Sequence, residues 1–108
     1  MIVQTLTTSF KSDILQGLQD LLNDDIYMAL YYATADLNEN TTTYTAVNEV
    51  SGGNYVGGGN LCQNVTINTD AESGIVYVSF DTVVWTNVSF TCRGALIYNL
   101  TKGGKSIA

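Results

Sequence analysis

The chain has 108 residues, 45% of them hydrophobic, with ten carboxylates against four cations (net charge −6) and neither histidine nor proline. Without histidine, and with Arg93, Lys11, Lys102 and Lys105 as the only cations, most hydrolytic, metal-assisted and phosphate-handling mechanisms lack their usual groups. The acidic balance also disfavours direct nucleic-acid binding, which needs a basic surface to displace counterions from phosphate. The length and apolar content indicate one domain, residues 1–108, with a core of its own.

In chain order, Phe10, Ile14, Leu15, Leu18, Leu21 and Leu22 fall at helical spacing and predict an amphipathic helix over about 9–22. Thr8 or Ser9 is placed to cap it, with Asp13 in its first turn and Gly17 inside it against a close neighbour. Residues 26–32 are apolar on both faces and predict a strand buried from two sides or facing a partner. A polar surface loop follows to Thr43, and Thr43 to Val50 reads as a short strand or a helical turn. Five glycines between Ser51 and Gly59 read as a mobile linker joining two halves.

The second half reads as strands. Leu61, Val65 and Ile67 alternate with polar residues, Asp70 to Gly74 marks a turn, and Ile75 to Phe80 is the returning strand. Val83 to Trp85 and Val88 to Cys92 are out of phase, which predicts a bulge near Thr86-Asn87. Ala95 to Tyr98 is a further strand, and Lys102 to Lys105 turns into a short terminal one at Ser106-Ile107-Ala108. The fold class is therefore mainly β with one N-terminal α-helix, an antiparallel β-sandwich or β-barrel-like domain.

Few motifs carry chemistry. Gly104-Lys105-Ser106 lacks the upstream glycine and the following helix of a phosphate-binding loop. Asp24, Asp25, Asp36 and Glu39 match no calcium-loop spacing, and paired carboxylates for sugar cleavage are not evident. Asn-x-Ser/Thr triplets at Asn40, Asn64, Asn87 and Asn99 are read as chance matches in a chain rich in Asn and Thr. Cys62 and Cys92 are read as buried thiols in strands rather than a disulfide. No catalytic, cofactor or metal residue is assigned. No apolar run approaches the ~20 residues of a membrane span, and the first ten residues lack the pattern of a secretion signal.

One resemblance is carried by residues in a fixed order. Ser9-Phe10-Lys11 with its helix, the Tyr27–Tyr31 strand, Asn48-Glu49-Val50-Ser51-Gly52 with Tyr55, Gly57 and Gly58, then Val84-Trp85-Thr86-Asn87, and Arg93-Gly94-Ala95-Leu96-Ile97-Tyr98-Asn99 together resemble a family of small virion structural proteins of tailed bacteriophages. The resemblance covers nearly the whole chain. It implies a non-enzymatic protein, made in the host cytoplasm and residing on the virion, that decorates or cements the capsid by binding the major capsid protein or other virion proteins. It also implies a homo-oligomer in the particle, with no cofactor and no direct contact with nucleic acid or membrane. Members of that family continue through further strands after the lysine turn, whereas this sequence stops at Ala108, which implies either a shorter sheet or a neighbouring chain that contacts the final segment, or the strand it leaves uncovered, by strand addition or packing. Tyr27, Tyr31, Tyr55, Tyr98 and Ile107 are the candidate interface residues. The alternatives are a neck, tail or fibre-base component or, in a different class, a carbohydrate-binding module using tyrosines and Trp85.

Overall fold

The computed structural model describes residues 2–52, 54–85 and 92–108. Helix α1 spans Thr8–Leu15 and is capped by Thr7, whose extended backbone (φ −76°, ψ 149°) lets its Oγ1 accept the Phe10 N–H at 3.2 Å. The cap is thus one residue ahead of the expected pair. Asp13 lies beyond the first turn, buried, where Gln19 Nε2 donates to its carboxylate at 3.1 Å.

The helix stops at Leu15, not Leu22. Gly17 adopts φ +70°; its N–H donates to Ile14 O (3.2 Å), and Leu18 N–H reaches back to Asp13 O (2.8 Å). This double closure is the Schellman motif, which needs a left-handed residue after the C-cap. Gly17 is therefore the terminator rather than a tight packing point, and nothing lies within 4 Å of where its Cβ would be. Helical spacing persists through Leu18, Leu21 and Leu22 only by coincidence. Of the six apolar residues in that pattern, Phe10 and Leu21 are buried, while Ile14, Leu15, Leu18 and Leu22 are 43–88% exposed.

Strand β1 (Ile26–Tyr31) is the centre of the fold. It pairs antiparallel with β2 (Asn60–Leu61) on one edge and, along its whole length, with β5 (Gly94–Asn99) on the other; β6 (Lys105–Ser106) completes the order β2-β1-β5-β6. Alternation puts Ala29, Tyr31, Leu96 and Tyr98 on one face with Ala35 and Leu37, and Ile26 on the other with Phe10, Leu21, Cys62 and Ile107. β1 is thus buried from both sides, as its pattern predicts. The polar loop after it adds Ala35 and Leu37 to the core, the latter held by Val3 N–H to Leu37 O at 2.8 Å.

A second sheet is the hairpin of β3 (Thr66–Asp70) and β4 (Ile75–Ser79). Asp70 Oδ1 accepts the Glu72 and Ser73 N–H groups, and Gly74 (φ +72°) turns the chain, as expected for residues 70–74. The predicted continuous strand from Leu61 to Ile67 is broken by Asn64 at φ +54°. Residues 83–85 form no strand, and the expected bulge near Thr86-Asn87 and strand from Val88 lie outside the described residues, save Cys92. Thr43 to Val50 forms isolated bridges (Thr43 to Lys105, Tyr31 to Glu49) rather than an element. The whole is mainly β, with one short N-terminal helix and two antiparallel sheets. Among the described residues no helix is long and apolar enough to cross a membrane.

A buried polar network ties the two ends of the chain together. Thr7 Oγ1 and Ser106 Oγ are 2.9 Å apart, Ser106 Oγ donates to Thr41 O (2.7 Å), and Asn99 Nδ2 donates to Gln19 Oε1 (3.2 Å) and Asp24 Oδ2 (2.8 Å). Asn99, Ser106 and Thr7 are at most 1% exposed. Each polar group there offsets its lost hydration with a partner. The Asn99 triplet is consequently inaccessible to glycosylation in the folded chain.

The expected open edge at the C-terminus is covered within the chain. Ser106 N–H donates to Thr42 O (2.9 Å), Ile97 N–H to Ala108 O (2.8 Å), and Thr7 N–H to Ile107 O (3.0 Å). Loop 42–43 thus occupies the position that a neighbouring strand was expected to fill.

The cysteines part company. Both are free, but only Cys62 is buried; it follows β2, and burial pushes its thiol up to about 11. Cys92 is exposed and outside any strand, contrary to the expectation of two buried strand thiols. In native conditions a maleimide should therefore label one thiol quickly, and denaturant should release the second. Two fast equivalents from the native chain would show that Cys62 is not packed as described.

Candidate functional site

Two arrangements stand out, one polar and internal, one apolar and external. The first is built around Glu49. Asn48, at φ +61°, turns the chain so that Glu49 bridges to Tyr31 on the edge of β1. The Glu49 carboxylate accepts hydrogen bonds from the Tyr44 hydroxyl, from the Tyr55 hydroxyl at 2.5 Å and from the Gly58 N–H at 2.8 Å. The Tyr55 oxygen in turn accepts the Leu30 N–H at 3.0 Å, and Tyr98 donates to Gly58 O at 2.5 Å. The glycine segment is therefore strapped to the sheet at Gly58 rather than being a mobile linker.

Gly59 makes the approach closer still. It sits at φ +83° with its Cα so near β1 that an added Cβ would lie 1.8 Å from Met28 O. Only glycine permits this contact.

Around this strap runs a surface cleft of about 700 Å³ whose walls include Tyr27, Tyr44, Tyr98, Gly58 and Gly104. Its chemistry is muted. Burial, followed by the neighbouring Glu49 charge, raises the Tyr31 hydroxyl well above the usual tyrosine range; Tyr44 and Tyr55 rise for the same reasons, and Tyr98 is pushed up to about 12. At neutral pH these hydroxyls stay protonated and act as donors. Tyr31, Tyr44, Tyr55 and Tyr98 all donate to acceptors of their own chain. Rings are spent similarly: Tyr44 packs on Tyr98 at 4.8 Å and Tyr55 stacks on Trp85 at 6.3 Å. The arrangement suits a structural strap better than proton transfer or a stacking platform for a ligand.

Of the five candidate interface residues, Tyr31, Tyr55, Tyr98 and Ile107 are at most 8% exposed, and Tyr27 is half-buried. The fold brings Tyr31, Tyr55 and Tyr98 together around the Glu49 strap and places Ile107 in the opposite core cluster. Their apolar bulk fills the interior, so none of those four offers a surface while the chain is folded. Among the described residues no group of three acidic, cysteine or histidine side chains converges on a metal-sized site.

The external arrangement was legible but not singled out. Every residue of β4 (Ile75-Val76-Tyr77-Val78-Ser79) is exposed, although four of the five are apolar or aromatic. The criterion that picked out β1, apolar side chains on both faces, applies equally to β4. Beside it lies an apolar groove walled by Leu6, Phe10, Ile14 and Leu21 on one side and Ile67, Val76 and Val78 on the other. A monomer seldom leaves so much contiguous apolar surface in water unless something binds there.

No family model, no curated protein and no solved structure matches this chain.

Proposed function

We propose that this chain is a non-enzymatic structural subunit of a bacteriophage virion that decorates or cements the capsid by docking on the major capsid protein. The observation that carries it is the exposed apolar flank of α1 and its exit: Leu15 is 88% exposed, Leu22 57% and Leu18 43%. Large aliphatic side chains in that position serve no core of their own chain and fit a desolvated contact with another protein. The family resemblance read from the sequence supplies the setting. An internal tyrosine strap with committed hydroxyls supports a load-bearing role over a catalytic one. With few cations the contact is predominantly apolar and resists salt, since exposed ion pairs contribute only about 0–1 kcal/mol each.

Quantitative gels of purified particles test this. The expected result is a copy number on the scale of the shell, retained in about 0.5 M salt, where charge interactions are screened within a few ångströms. Replacing Leu15 with Asp should strip the protein from particles while its own melting curve is unchanged. Absence from particles overturns the proposal, and a copy number on the scale of the tail moves the subunit to the neck, tail or fibre base.

A further inference from the structure

We infer that strand β4 is a self-association edge: two copies pair antiparallel through Ile75–Ser79 about a two-fold axis, joining their hairpins into one four-stranded sheet. Among the described residues the hairpin has no third strand, since β3 and β4 pair only with each other. A two-stranded sheet is marginal in water, and three or more strands with a covered apolar face are the usual stable unit. Within β4 itself nothing blunts the edge: Ile75–Ser79 has no charge, no proline and no glycine. Such an edge pairs with another strand when one is supplied.

The sequence of β4 favours a second copy as the occupant. Centred on Tyr77, antiparallel self-pairing sets Val76 against Val78, Ile75 against Ser79 and Tyr77 against its own counterpart. Each position meets a compatible side chain, and no like charges face each other although the chain carries −6 overall. The β3 edge differs in carrying a charge, Asp70, of the kind that blunts a strand edge.

The strand also has apolar side chains to contribute: Ile75, Val76, Tyr77 and Val78 are 39–66% exposed, and cross-strand pairs between such side chains stabilise antiparallel pairing. The helix flank at Leu15 is left free for the docking proposed above.

Sedimentation of the purified chain tests this directly. The expected species has twice the 11.7 kDa chain mass. Tyr77→Lys, which opposes two ammonium groups across the axis, should return it to the chain mass and weaken association at least about 100-fold, while Thr66→Lys on the β3 edge should leave the dimer intact. Should Tyr77→Lys fail to fold, a second experiment decides. In a Cys92→Ser background, Ile75→Cys and Ser79→Cys chains mixed and oxidised with diamide should cross-link to each other and hardly to themselves. A wild-type chain that is monomeric at about 100 µM, a folded Tyr77→Lys chain that stays dimeric, or a mixed pair that does not cross-link overturns the inference. A monomer that still binds particles would overturn this inference alone and leave the proposed function standing.

Discussion

Replacing Gly59 with alanine should cost about 3–5 kcal/mol, lowering the melting temperature by roughly 15–25 °C for a domain of this size. Two terms add. A left-handed backbone costs a non-glycine residue roughly 1–2 kcal/mol, and the new methyl must also displace backbone. Its nearest neighbours are Met28 O at 1.8 Å, Met28 C at 2.6 Å and Ala29 Cα at 2.8 Å. None can retreat cheaply, because β1 is held by β2 on one side and by β5 on the other. Gly103→Ala is the internal control: φ is +78° there, yet nothing lies within 4 Å of the added carbon. It should lose only the conformational term. Urea titrations of the two variants separate the contributions. Equal losses would mean that the contact between Gly59 and β1 does not restrain the fold.

Asn99→Asp should be nearly as damaging at neutral pH, at about 3 kcal/mol or more. The change is almost isosteric, so packing is kept and the effect is electrostatic. It removes the amide donor to Gln19 Oε1 and sets a second carboxylate at the 2.8 Å position beside Asp24. In the native chain the Asn99 hydrogen bond is the first cause holding the Asp24 carboxyl below its ordinary 3.8, with the Asp20 backbone and Lys102 assisting against burial. A carboxyl whose folded value is depressed contributes stability above its unfolded value. That contribution is lost as pH falls through the lower folded value, so the native chain should weaken below about pH 4. The variant should behave oppositely over part of that range. Two adjacent carboxylates force one to hold a proton, and acid relieves the repulsion. The stability gap between native and Asn99→Asp should therefore narrow from pH 7 to pH 4, while Asn99→Ala shows no such relief. A gap independent of pH would rule out direct coupling between positions 99 and 24.

Much of the sheet was legible because its signals are local. The doubly apolar run 26–31, the Asp70 to Gly74 turn and the apolar stretch ending at Tyr98 each carry their own pattern. The helix end was not, because Leu18, Leu21 and Leu22 keep the helical period past a glycine whose φ decides the matter. Spacing records where apolar groups recur, and says nothing of the hydrogen bonds that close a helix. The Glu49 strap was hidden for a different reason. A single carboxylate in a polar stretch looks solvated until Tyr44, Tyr55 and Gly58 are brought to it by contacts distant in sequence. Glu49, Tyr55 and Gly58 together fasten the glycine segment to β1. The exposed edge of β4 was open to discovery by pattern, but pattern alone cannot say which of two doubly apolar strands lies inside.

The polar bridge between Thr7 and Ser106 joins residues 99 positions apart, and β1 finds its longest partner in β5, on the far side of the chain. Such pairings make loop closure the slow step, since their entropy must be met before the contacts can reward it. During synthesis on a ribosome, β1 therefore emerges early, apolar on both faces, and waits for β5. The Gln19–Asn99 bond and the cluster around Ile107 cannot assemble until β5 and the residues after it have cleared the exit tunnel. Until then the nascent chain depends on whatever shields the apolar faces of β1.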